Sequence, residues 1–118
     1  MDGAWFTGIA DELARCLTDA EECADACEAL LERTSELPDE RARRQIVDAV
    51  LAPAAVARVL VELIDQPQQL VLAAATLCRD SSRDALASLR RFPNDLVGET
   101  CSALRSCVES CGALLEAA

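Results

Sequence analysis

Between Ile9 and Leu30 the chain sets Ile9, Leu13, Cys16, Ala20, Cys23, Cys27 and Leu30 at alternating steps of four and three. That rhythm is the inward seam of an amphipathic helix. Three thiols therefore point where a core points. They act either as small buried hydrophobes or as soft metal ligands lining the inside of a bundle.

The rest of the chain repeats the helical design. Helix one is expected from an N-cap at Thr7 to about Arg33, with Trp5 and Phe6 before it plugging one end of the core. Ser35-Glu36-Leu37-Pro38-Asp39 is a break, and helix two follows from about Asp39 to Asp65. Its inner stripe reads Ile46, Val50, Ala54, Ala57, Leu60 or Val61, and Ile64, and Pro53 is expected to kink or split it. After Asp65-Gln66-Pro67, helix three spans about 67–91 with Val71, Ala74, Cys78, Ser81, Ala85 and Ser88 on one seam. A second line through Leu70, Leu77 and Leu86 or Leu89 is expected to widen that face. Phe92-Pro93-Asn94-Asp95 is the third break, with Asn94 or Asp95 as cap. Helix four then carries Val97, Cys101, Leu104, Cys107 or Val108, Cys111, Leu115 and Ala118 inward.

Four segments of matched length, roughly 37 Å each at 1.5 Å per residue, joined by short links, predict an all-α fold. The expected architecture is an antiparallel, up-down-up-down four-helix bundle forming a single domain over residues 1–118. Nothing alternates as a strand would.

Composition narrows the function. With 21 acidic and 11 basic residues the net charge is −10, a surface that repels phosphate backbones and excludes nucleic acid as a partner. No apolar run approaches the ~18 residues of a membrane span, and the N-terminus lacks the parts of a signal peptide, so a cytoplasmic protein is expected. Histidine is absent, which removes His-based triads, zinc sites of the HExxH kind and Glu-x-x-His di-iron centres. Catalysis has no support, and the chain reads as a non-enzyme.

Seven cysteines remain: Cys16, Cys23, Cys27, Cys78, Cys101, Cys107 and Cys111. In a reducing compartment they are thiols, metal ligands or redox groups rather than a disulfide framework. Cys23/Cys27 and Cys107/Cys111 are i, i+4 pairs, which puts both sulfurs of each pair on one helix face. If helices one and four are adjacent and antiparallel, two rows of thiols run side by side, with Cys78 joining from helix three. Thiolates select Cu(I), zinc or iron–sulfur clusters. Zinc ribbons use Cys-x-x-Cys on turns, and ferredoxin spacing is absent, whereas Cu(I) accepts the low coordination that helix-borne pairs offer.

The segments Glu21-Glu22-Cys23-Ala24-Asp25-Ala26-Cys27 and Cys101-Ser-Ala-Leu-Arg-Ser-Cys107-Val-Glu-Ser-Cys111 resemble the helices of the bacterial cysteine-rich four-helix-bundle copper-storage family. The resemblance extends over about residues 9–118. It implies Cu(I) held inside the bundle, with Cys23, Cys27, Cys107 and Cys111 matching the family's Cys-x-x-x-Cys pairs and Cys16, Cys78 and Cys101 matching the inward rows less closely. The family usually has more cysteines, and often His or Met at the bundle mouth. Here helix two has no cysteine, helix three has one, and the only Met is Met1. Leu104, Ser81, Ala54 and Ala57 stand where further ligands are expected, so the resemblance implies a low number of Cu(I) ions. The functional expectation is copper buffering, storage or donation, with metal ions as partners and a homo-oligomer or protein partner as further options. The alternatives are a non-metal helical scaffold or interaction module with packed thiols, and an iron–sulfur or thiol redox protein.

Overall fold

The computed structural model describes residues 8–118 and contains four helices: α1 (Ala10–Thr34), α2 (Glu40–Glu62), α3 (Gln68–Leu89) and α4 (Asn94–Ala117). Trp5, Phe6 and the Thr7 cap lie outside the described residues. Each helix packs on the two beside it, α1 on α2 and α4, α3 on α2 and α4, giving a four-membered ring around one core. Short links and cross-helix pairs make neighbours antiparallel. Cys16, early in α1, meets Cys111, late in α4, while Arg33 at the end of α1 donates to the Leu96 carbonyl at the start of α4.

The seven seam residues of α1 are all buried. Asp39 caps α2, its carboxylate accepting from the backbone N–H groups of Arg41 and Ala42 at 2.9 and 3.3 Å. Pro53 does not split α2: the helix runs through it, and the ring is buried on the core side among Val50, Ala54 and Ala57. Arg58 of α2 reaches across to Asp25 and Glu28 of α1 at 2.6 and 2.9 Å, an exposed bridge that registers the two helices more than it stabilises them.

Three seam assignments are corrected. On α3 the interior takes Ser82 and Leu89 rather than Ser81 and Ser88, because the larger Leu89 claims the inward track. Leu70 and Leu77 do not widen that face; they are 47% and 59% exposed. On α4 the buried line is Val97, Thr100, Leu104, Cys107, Ser110, Cys111 and Leu114, so Cys101, Val108 and Leu115 stand half out and Ala118 is exposed. Thr100 wins the inner position because its hydroxyl donates to the Ala26 carbonyl of α1 at 3.3 Å. The expected side-chain cap from Asn94 or Asp95 is also absent. Pro93 holds the N-cap position, and the Asn94 side chain instead lies over Gly98.

Gly112 sits in α4 with nothing within 4 Å of where a Cβ would stand. Gly112→Ala is expected to stabilise the bundle by about 0.5–1 kcal/mol, since helical backbone costs glycine extra entropy. Denaturant midpoints of the two chains check this.

Candidate metal centre

Six of the seven thiols share the interior. The helical rise places Cys16 about 9 Å, Cys23 about 20 Å and Cys27 about 25 Å along α1 from its start. Running the other way on α4, Cys111 comes level with Cys16, and Cys107 lies between the levels of Cys16 and Cys23. Cys78 enters from the middle of α3. The wall opposite is α2, which at these levels presents only Val50, Pro53, Ala54 and Ala57.

The contacts follow from that register. Cys78 Sγ is 3.4 Å from Cys107 Sγ, across α3 and α4. Cys107 and Cys111 are 3.9 Å apart along α4, and Cys111 is 3.5 Å from Cys16 across to α1. Cys78, Cys107 and Cys111 bring their sulfurs within 4.8 Å of one another. Cys23 interacts with Cys107 on one side and Cys27 on the other, and its sulfur lies 3.9 Å from Ser82 Oγ. The result is a string, Cys16–Cys111–Cys107–Cys23–Cys27, with Cys78 attached at Cys107 and Cys111. All six side chains are fully enclosed.

Protons are shared unevenly along it. Hydrogen bonds with Cys107 and Cys111 hold the Cys78 pKa down to about 5. Cys16 is lowered by its bond from Cys111. Cys111, hydrogen-bonded among Cys107, Cys16 and Cys78, is raised, and burial adds to this. Cys23 is pushed up to about 12 by its bond with Cys107 and by burial, and Cys27 is raised by its bond with Cys23 and by burial. An interior of this kind keeps Cys23, Cys27 and Cys111 as thiols until a cation replaces their protons.

Cys101 is not part of the string. Six residues before Cys107, it is turned about 120° around the helix. It lies half-buried against a surface hollow of about 200 Å³ with Phe92, Arg90 and Arg105. Burial raises its pKa, while Arg105 and Arg90 pull the other way.

Two features were not legible beforehand. Cys78 stands against both Cys107 and Cys111, the two links of the string, though nothing in helix three alone marks it as central. Ser82 takes the inward place one turn beyond Cys78; its one signal was a position four residues from Cys78, the same spacing as the paired cysteines. Near the Cys16–Cys111 end, Ser110 is buried between α4 and α1 and donates to the Asp19 carboxylate.

Chemically, the interior offers sulfur and almost nothing else. No fourth Cys, Asp or Glu joins Cys78, Cys107 and Cys111 among the described residues, and the chain has no His. With a metal–sulfur bond of about 2.3 Å, two sulfurs on one ion stand at most about 4.6 Å apart, so the observed 3.4–3.9 Å separations suit shared coordination. No helix of the described residues is long and apolar enough to cross a membrane.

A family model described as copper storage protein matches residues 9–116. No curated protein and no solved structure matches the chain.

Proposed function

Because this chain belongs to the copper storage protein family, we propose that it binds a few Cu(I) ions on its interior thiolates and serves as a cytosolic copper buffer, store or donor. The observation that carries the reading is the buried triad of Cys78, Cys107 and Cys111, extended by Cys16 and Cys23. Three close sulfurs without a fourth ligand suit a soft ion of low coordination number better than zinc, whose structural sites are four-coordinate. The proposed ligands are Cys16, Cys23, Cys27, Cys78, Cys107 and Cys111. Cys101 takes no share in the interior ions. A reducing compartment keeps such thiols available, which supports a cytosolic setting. The role is sequestration, not catalysis.

Anaerobic titration of reduced protein with Cu(I) against a competing chelator tests this directly. A few equivalents are expected to transfer to the protein. A chelator that keeps the copper at every ratio refutes the reading.

Loading also displaces protons. Near pH 7, Cys23, Cys27 and Cys111 enter as thiols, because each pKa is raised, whereas Cys78 enters already ionised. Copper addition is therefore expected to acidify a weakly buffered solution, by fewer protons than there are ligating sulfurs. Lowering the pH returns protons to the thiolates and is expected to release the ion. An indicator dye in the first case and chelator colour in the second record the result.

A further inference from the structure

To reach the six interior thiols an ion has to enter a bundle whose ends are shut. One turn out from Cys16 and Cys111, and two turns out from Cys78, the buried Leu13, Leu114 and Val71 form an apolar layer across one end. Beyond Cys27, the buried Leu30, Leu89 and Val97 close the other. No side chain of either layer offers a sulfur that could hand a soft ion inward. The side wall is different. Cys101 is the one thiol of the seven that is not fully buried, and it stands between α3 and α4. Its height is fixed by its neighbour: Thr100 donates to the Ala26 carbonyl of α1. Cys101 therefore lies within about 3 Å of the level of Cys27 along the bundle axis. Cys27 is the last sulfur of the string, and it is near enough to raise the Cys101 pKa.

The hollow in front of Cys101, about 200 Å³, is lined by Leu86 and Phe92 and by Arg90 and Arg105. Among the described residues neither arginine has a carboxylate partner, although the chain carries 21 acidic residues. Two unpaired cations beside an accessible thiol, on a chain of net charge −10, suit an anionic ligand that itself carries a sulfur. We propose that Cys101 is the exchange thiol of this protein: Cu(I) passes between a small anionic thiol seated in this hollow and the interior string by way of Cys101 Sγ. The proposal rests on the copper reading above and adds to it a route and a class of carrier.

The exchange balances without a redox partner. Cu(I) arrives on the carrier's thiolate; a Cu–S bond to Cys101 forms, and the Cu–S bond to the carrier breaks. The Cys101 proton leaves on the carrier sulfur, which departs as a thiol. A second exchange of the same kind moves the ion to Cys27, and the Cys27 proton passes to Cys101. Copper stays Cu(I) throughout, and Cys101 ends as it began. A thiol used only in transit lowers the barrier equally in both directions and leaves the equilibrium untouched. That is how Cys101 serves the interior ions while taking no share in holding them.

Stopped-flow transfer of Cu(I) from its glutathione complex to the reduced, metal-free chain tests the route, beside a chelator competition read at equilibrium. Cys101→Ala is expected to slow transfer at least about tenfold and to reach the parent's final occupancy. Cys101→Ser gives the same readout should alanine disturb the wall. Arg90→Ala combined with Arg105→Ala is expected to slow transfer from glutathione about tenfold and to leave transfer from neutral mercaptoethanol unchanged. Arg15→Ala, which removes an exposed charge near the start of α1, should change neither rate. Without copper, a carboxylated aromatic disulfide is expected to modify one thiol of the parent quickly and none of Cys101→Ala. A chain that takes up no copper at equilibrium defeats the copper reading and the route together. A chain that loads at the parent rate without Cys101 overturns the route alone, as does a glutathione rate that ignores the arginine pair.

Discussion

Cys107→Ala combined with Cys111→Ala is expected to leave a folded bundle that has lost most of its affinity for Cu(I). These two sulfurs are the junctions of the string: Cys107 joins Cys78 to Cys23, and Cys111 joins Cys16. Without them Cys16 and Cys78 stand isolated, and only Cys23 and Cys27 remain as neighbours. Sharing the ~10–16 kcal/mol of a metal–thiolate site among its ligands gives a loss of about 10⁴-fold for two of them. Folding suffers far less. Each change removes one small buried group, and costs of about 1–2 kcal/mol apiece should leave the helical circular dichroism unchanged. Chelator competition measures the affinity. Cys101→Ala, outside the string, should retain both affinity and stoichiometry. A double variant that holds copper as tightly as the parent would place the ions elsewhere.

How far this centre was readable depended on whether one helix or several determined the position. The α1 seam came directly from the sequence because its steps of four and three run unbroken from Ile9 to Leu30, and all seven seam residues are buried. On α3 and α4 two tracks of equal spacing compete. Cys78, Ser81, Ala85, Ser88 and Cys78, Ser82, Ala85, Leu89 both step by three and four; packing chose the second. Likewise Val97, Cys101, Leu104 and Val97, Thr100, Leu104 are equivalent as patterns, and by hydropathy alone the cysteine would go inside. The Ala26 carbonyl, on another helix, gives Thr100 the place. Cys78 was visible as an inward residue, yet its place against Cys107 and Cys111 depends on the register of α3 with α4, which no single periodicity encodes. The four-helix layout was legible because Pro38, Pro67 and Pro93 each stand at or just before a helix start.

Copper loading is expected to raise the thermal midpoint by roughly 15–25 °C. An ion that binds only the folded chain contributes RT ln(1 + [L]/Kd), about 4 kcal/mol when free copper is a thousandfold above Kd, and each kcal/mol moves a domain of this size by about 4–6 °C. The unfolded chain keeps its cysteines, but only the bundle brings Cys16, Cys78 and Cys107 to within bonding distance of one ion or its neighbour, across sequence separations that the denatured state must close at an entropic cost. The brace is also lopsided. It ties α1, α3 and α4, while α2 contributes Val50, Pro53, Ala54 and Ala57 and no sulfur. Local openings of α2 therefore gain nothing directly from the metal. Hydrogen exchange of the loaded protein is expected to slow most around the thiols of α1, α3 and α4, with α2 the first helix to open. Equal added protection in all four helices would mean that the ions act only through global stability, and an unchanged midpoint would mean that they do not sit among these thiols.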